Sequence, residues 1–392
     1  MPYRLKRLAH HRLFFPIAIV VVYFVINLIL VLHHEQWRGE VNPWQIAKSL
    51  NLENVVEVVR AEPQSLLWYL VLAPFAKLGF PLITANIVSL VVMSLSVFLL
   101  ARYAPFSKVS VVVLTLSMAF FYFNPVIADG RCLVVLGMVV AICIYKTRRV
   151  VAFGLAGVSM LIALLMISAS WDRLQSGQTD WLTALNESLF GVTAPVLELV
   201  AMFVLFYLFF NYLRRPVWLY KWAQKLEVTK LLKGVSPAAL LVIPAATTIP
   251  FTFVSAMSDL STDYSYSHRL AEYINENTPP NSVVLTGSAE TTSIAAGLIP
   301  LLKDDRKVYD IATKSYLDFY KYAEYPDISQ KEVNKIAEDL ESMSLYYLID
   351  NSKATAFSCD DRPDPSWVLL QIFEPPNDFL EGRLSLYRVS GE

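Results

Sequence analysis

Glutamate, histidine, arginine and tryptophan crowd into one short stretch, "HHEQWRGEVNPWQIAKSL" at His33–Leu50, directly after an apolar run. Glu40 is the residue in it with the most chemical interest. A carboxylate at the mouth of a membrane helix can take a proton from an incoming hydroxyl or amine, or it can ligate a divalent cation. Glu35, Trp37, Arg38 and Trp44 flank it, and Glu62, Trp68 and Tyr69 follow in "AEPQSLLWYLVLAPFAKLGFP". The competing reading is an interfacial loop, because Trp and Tyr gather at a lipid–water boundary with no chemistry attached. His33 and His34 are neighbours whose rings diverge in a loop, so solvated histidines are expected rather than metal ligands.

Two other places hold charge beside apolar sequence. Asp129 and Arg131 sit in "FNPVIADGRCLVV", between two apolar runs, and Glu198 lies within "APVLELVAMF". A carboxylate inside a membrane helix costs about 2.5–3.5 kcal/mol on insertion scales, so Glu198 should face protein or water. It reads either as a cavity residue or as a protonated side chain bonded to a neighbouring helix. "GSAETTS" could cradle an anion at a helix N-terminus, but it lacks a phosphate-loop pattern and reads as a strand-to-helix turn. The three cysteines, Cys132, Cys143 and Cys359, show no metal-ligand spacing.

Composition says what must position these residues. The chain has 392 residues, of which 55% are hydrophobic, and its formal net charge of −1 gives no case for nucleic acid. A mean hydropathy of +0.45 is high for a soluble chain of this length. Apolar runs occur at Leu13–Leu32, Leu66–Leu78, Leu82–Ala101, Val109–Phe123, Cys132–Tyr145, Val150–Ala169, Leu189–Leu213 and Pro237–Met257. A spanning helix needs about 20 residues, and Leu66–Leu78 is too short. Basic clusters lie at Arg4–Arg12, Arg102/Lys108, Lys146–Arg149 and Arg214–Lys233. All four fall on the cytoplasmic side if Pro63–Leu78 rests in the outer interface and the other seven runs span. The expected architecture is an α-helical polytopic membrane protein of about seven spans, with its N-terminus in the cytoplasm. Its transmembrane part would be residues 1–257, with an outer first loop at 33–81.

From Ser258 onward the pattern changes. "SVVLTGS", "KVYDIA", "LYYLID", "SWVLLQIF" and "RLSLYRV" read as strands, and "RLAEYINEN", "TTSIAAGLIPLL" and "SQKEVNKIAEDLESM" read as helices. The alternation points to an outer α/β domain over 258–392 with a largely parallel sheet.

The stretches at 34–50, 61–81 and 123–135 together resemble three successive motifs of the GT-C membrane glycosyltransferases, in a bacterial branch related to protein O-mannosyltransferases and aminoarabinose transferases. The resemblance covers roughly residues 30–150. It implies transfer of a sugar from a polyprenyl-phosphate donor to an envelope glycan, lipid or protein on the outer face of a bacterial cell membrane. By motif position Glu40 matches the second acid of the branch's Asp-Glu pair. Trp37, Arg38, Trp44, Glu62, Trp68 and Tyr69 match donor-side positions, Arg131 stands in the third motif, and Glu198 would lie near the donor. No cofactor is fixed by the resemblance, and a divalent metal stays open.

The chain also departs from the branch. Gly39 stands where the first acid is usual, Gln64-Ser65-Leu66 stand in place of His-Pro-Pro, and Asp129 and Arg131 stand where Arg and Tyr are usual. Further spans of the family are missing. Either Glu40 or Asp129 serves as the base, or the chain is a non-catalytic GT-C-like subunit or scaffold in envelope glycoconjugate assembly.

Overall fold

The structure, a computed structural model, describes residues 13–36, 38–51, 66–104, 106–144, 147–148, 150–159, 161, 237–261, 267–319, 330–340, 343–350, 366–374 and 384–390. Expectations for Trp37, Glu62, Glu198, Cys359 and the run Leu189–Leu213 lie outside these residues. The chain divides into two compact units. The first comprises Met1–His33, Pro63–Trp68 and Thr84–Ser258, and the second His34–Glu62, Tyr69–Ile83 and Asp259–Glu392.

The first unit is helical. Among its described residues two helices, α1 (Phe14–His33) and the later Thr84–Tyr103, are long and apolar enough to cross a membrane. On α1 the exposed positions ahead of the terminal His33 are all apolar and recur at helical spacing: Phe14, Ile17, Val21, Val25, Ile29 and Leu32 among them. Its buried side carries Tyr23 and Asn27 beside Leu30 and Val31. Polar groups inside and apolar groups outside reverse the pattern of a water-facing helix.

The run expected to span at Val109–Phe123 does not form one helix. Helix Lys108–Leu116 has nine residues, about 13.5 Å at 1.5 Å per residue, against the ~30 Å of a hydrocarbon core. Ser117 ends it, directing both its N–H and its hydroxyl to the Leu114 carbonyl. Residues 117–130 then run as turns and bends, all buried. Tyr122 there has φ +63°, and Pro125 disfavours helix at Asn124. Side chains from neighbouring helices bond the freed backbone. Tyr23 Oη donates to the Phe120 carbonyl, Asn86 Nδ2 donates to the Val126 carbonyl at 2.7 Å, and the Met118 N–H donates to Thr248 Oγ1 at 3.0 Å. Helix Arg131–Ile144 follows, then Val150–Ser159, and finally Pro237–Ser261, which is 25 residues long.

In chain order the helices so far are α1, α2 (Arg38–Ser49), α3 (Leu66–Lys77), α4 (Thr84–Tyr103), α5 (Lys108–Leu116), α6 (Arg131–Ile144), α7 (Val150–Ser159) and α8 (Pro237–Ser261). The second unit adds α9 (Ser267–Asn277), β1 (Val283–Thr286), α10 (Ala289–Leu298), β2 (Lys307–Asp310), β3 (Ser315–Tyr316), α11 (Gln330–Asp339), β4 (Leu345–Asp350), β5 (Val368–Phe373) and β6 (Leu384–Ser390). The sheet order is β3-β2-β1-β4-β6-β5. Only the pairings of β1 with β2 and with β4 are parallel. The flanks are antiparallel, β3 on β2 and β5–β6 on β4, so the sheet is mixed where the strand–helix alternation predicts a largely parallel one. β5 and β6 follow one another without a described helix between them, so an antiparallel return is open to them.

The core lies on both faces of the sheet. Leu270, Ile274, Ala295 and Leu298 of α9 and α10 pack on Val284, Leu348 and Leu386. Val333 and Ile336 of α11 pack on Val283, Leu285 and Leu345 on the other face. α10 starts with a capping box in which Ser288 and Thr291 satisfy each other's backbone N–H groups, so "GSAETTS" is the strand-to-helix turn its composition suggests. α2 packs against α10, and Ile46 and Leu50 meet Tyr69 and Ala73 of α3 beside Phe319. Residues 38–50 and 69–73 of the first loop thus pack within the second unit.

Candidate functional site

Local sequence places each member of the site. His34 follows the last residue of α1, Glu40 lies in the first turn of α2, and Asp259 lies in the last turn of α8. All three belong to the second unit. The His34 ring joins the two carboxylates. Its Nε2 lies 2.7 Å from Glu40 Oε2, and its Nδ1 lies 2.9 Å and 3.1 Å from the two Asp259 oxygens. Neither the His34 nor the Glu40 side chain has any solvent exposure.

Burial by itself pushes the His34 pKa down. The Glu40 charge and the hydrogen bonds to Asp259 and Glu40 outweigh it and hold the ring at about 10. At neutral pH His34 is therefore an imidazolium that donates one N–H to each of the two carboxyl groups. The expectation of a solvated His34 is corrected: the ring faces inward, between two acids that neutralise it. Neighbouring Glu35 turns elsewhere and accepts the His268 N–H at the start of α9, 3.2 Å away.

The other sequence-chosen residues divide between the units. Trp44 is buried within α2 and fills core. Arg38 opens α2. Trp68 and Tyr69 have no exposure, which corrects their expected place at a lipid–water surface: α3 packs both inward. The α3 helix has 12 residues, about 18 Å, too short to cross a bilayer. Its Lys77 ammonium bonds to the Leu50 carbonyl after the end of α2.

Asp129 and Arg131 belong to the first unit, whereas Glu40 belongs to the second. They form a buried ion pair through Arg131 Nε and Asp129 Oδ2. Asp129 Oδ1 also accepts the Arg131 backbone N–H at 2.8 Å, which caps the start of α6. Arg131 Nη1 is buried without a hydrogen-bond partner, so the guanidinium retains a donor for an anionic group.

Among the described residues no group of three His, Cys, Asp or Glu is arranged to hold a metal ion. In the cluster both imidazole nitrogens are already committed to carboxylates. A separate cavity of about 360 Å³ lies between Arg269, Glu272, Tyr273 and Glu276 of α9 and Gln371–Glu374; it includes none of the residues chosen from sequence. Sequence reasoning missed Asp259 altogether. The one available signal is that Asp259 is the first acid after the last apolar run, as His34 and Glu35 directly follow the first. No known protein family, curated protein or solved structure matches the chain.

Proposed function

We propose that the chain is a multi-pass protein of a bacterial cell membrane, of GT-C-like architecture, that moves a sugar from a polyprenyl-phosphate donor to an envelope acceptor on the outer face. The reversed polarity of α1 supports the membrane setting. Its exposed apolar face runs from Phe14 to Leu32, about 27 Å of helix, close to the thickness of a hydrocarbon core. The charge clusters favour a cytoplasmic N-terminus and an extracytoplasmic second unit.

The observation that carries the transferase reading is the buried Glu40–His34–Asp259 cluster at the start of the first loop. Burying three ionisable groups is costly, and a well-packed apolar trio is often as stable or more so. Such clusters concentrate at functional sites. In the proposed reaction Glu40 takes the proton of the acceptor hydroxyl as the acceptor oxygen bonds to the sugar's anomeric carbon. The bond from that carbon to the phosphate oxygen breaks, and its electron pair leaves on the lipid phosphate. By the resemblance alone, Arg131 of the third motif is the residue that would steady that phosphate.

The test uses the full chain in nanodiscs with radiolabelled polyprenyl-phosphate mannose, glucose, galactose and aminoarabinose, supplied with envelope lipid and glycan acceptors. Transfer that falls by about 10²–10⁴-fold in Glu40→Gln supports the reading. No binding and no turnover of any donor would sink it. One observation favours the second reading, a non-catalytic GT-C-like subunit: Glu40 has no exposed surface. On that reading Glu40→Gln lowers stability in a chain that never turns over a donor.

A further inference from the structure

The transferase reading gives Glu40 a task and leaves His34 and Asp259 without one. We propose that they are positioning residues for Glu40: Asp259 fixes the His34 ring, and the ring's other N–H holds the Glu40 carboxylate in place. This inference rests on the transferase reading.

Three observations carry it. First, both ring nitrogens are used, one on each carboxylate, at 2.7 Å and 2.9 Å. The ring cannot flip or turn without breaking both bonds. Second, Asp259 meets Nδ1 with both its oxygens, so it fixes the plane of the ring as well as its position. Third, Glu40 and His34 have wholly buried side chains and that of Asp259 is nearly so, so water does not compete for these bonds. Glu40 sits on α2, a helix that begins only two residues earlier at Arg38. The His34 bond ties the Glu40 carboxylate to Asp259, a residue 225 positions from His34 in sequence. Among the described residues, the charged groups hydrogen-bonded to the ring are Glu40 from α2 and Asp259 from α8, and Glu35 accepts the His268 backbone N–H.

The test compares Asp259→Asn, Asp259→Glu and the unaltered full chain in nanodiscs, with the donor from the four-sugar panel that the unaltered chain turns over. It reads kcat and KM across pH, with ¹⁵N NMR of the histidine ring on the same samples. Asp259→Asn is expected to lower kcat by about tenfold or more while KM stays within about twofold. Its kcat–pH profile should move, and the His34 ring should titrate at lower pH than the unaltered value. Asp259→Glu keeps the charge on a longer arm and should fall between the two. If Asp259→Asn does not fold, Asp259→Glu decides: a kcat and pH profile equal to the unaltered chain overturns the proposal. The same result in a folded Asp259→Asn also overturns it. A chain that binds and turns over none of the donors removes the transferase reading and this role with it, which is distinguishable from an active chain indifferent to Asp259.

Discussion

The two units of this chain solve the same burial problem with opposite polarity. In the second, α11 turns Lys331, Glu332, Lys335 and Glu338 outward and buries Val333 and Ile336. In the first, α1 turns valine and isoleucine outward and buries Tyr23 and Asn27. The second arrangement lowers free energy by removing apolar surface from water. The first has no such driving force if its surroundings are lipid, and it relies on close packing and interior hydrogen bonds instead. The difference shows in these helices: charged residues mark the outer face of α11, whereas in the first unit Tyr23 and Asn86 bond backbone of the 117–130 segment. The His34 cluster follows the first logic although it belongs to the second unit. It sinks charge into that unit's interior, as Arg306 and Asp310 also do.

The largest effect is expected there. Removing one partner of a buried ion pair costs about 3–5 kcal/mol, so His34→Gln should lower the melting temperature of the second unit far more than loss of an exposed charge such as Lys335→Gln. The pH dependence follows from the sign of the shift. The folded pKa of His34, at about 10, lies above the ordinary 6.5. Its contribution to stability is therefore fully present below pH 6.5 and is lost as pH rises through about 10. Thermal melts of the unaltered chain should fall across that window, and those of His34→Gln should fall less. Equal slopes would mean that the ring is not protonated in the fold.

The same substitution in both units measures the polarity contrast directly. Val25 on α1 is 49% exposed and Leu369 on β5 is 45% exposed. Aspartate at 25 should cost about 2.5–3.5 kcal/mol of insertion if that face meets lipid. Aspartate at 369 should stay within about 0.5 kcal/mol, as for an ordinary surface site. Membrane-fraction yield for the first and melting temperature for the second are the readouts. If Val25→Asp is as harmless as Leu369→Asp, α1 does not face lipid.

How much of this was legible in the sequence follows the same divide. The elements of the second unit were largely readable, because alternating strands and amphipathic helices leave a periodicity that burial enforces; "LYYLID" coincides with β4. The two-residue β3 and the antiparallel return of β5 and β6 were not, since pairing direction leaves no mark within a strand. In the first unit hydropathy alone ran Val109–Phe123 together, although Ser117 and Asn124-Pro125 mark where the helix cannot continue. Trp68 and Tyr69 looked interfacial because the same residue types serve buried and boundary positions alike. Glu40 was readable as a candidate from its neighbours. Its partnership with Asp259 was not, because a contact across more than two hundred residues has no local signature.

Two glycines permit a finer comparison. A Cβ on Gly137 of α6 would clash with Ser159 Oγ of α7, and one on Gly297 of α10 would lie 2.5 Å from Ser267 Oγ of α9. Each Gly→Ala should cost about 1–3 kcal/mol through overpacking. Pairing each with Ser→Ala removes the clashing oxygen and should recover most of the loss. Recovery in both units would show that close helix approach is set by sterics whatever the surroundings. Recovery at 297 alone would mean that the Ser159 hydroxyl does more in the first unit than occupy space.

The smallest effect concerns single hydrogen bonds on either side of the divide. Tyr23→Phe removes the hydroxyl that bonds the Phe120 carbonyl, and Thr292→Val removes the bond to Thr286 Oγ1. In a water-soluble fold a bond of the second kind contributes about 0.5–1.5 kcal/mol. Within lipid the mean is about 0.6 kcal/mol, because the unfolded reference in the membrane also finds partners. Tyr23→Phe should therefore lower stability by no more than Thr292→Val does, even though it touches the buried 117–130 segment. That segment is also held by Asn86, which donates to the Val126 carbonyl, and by Thr248, which accepts the Met118 N–H, so losing one bond leaves its course intact. Tyr23→Phe is measured by unfolding in mild detergent, with Thr292→Val in the same preparation as the internal standard. A loss of several kcal/mol at Tyr23 would contradict this shared support. It would make one tyrosine the latch of the whole irregular segment, and the interior of the first unit would then be organised around a single bond.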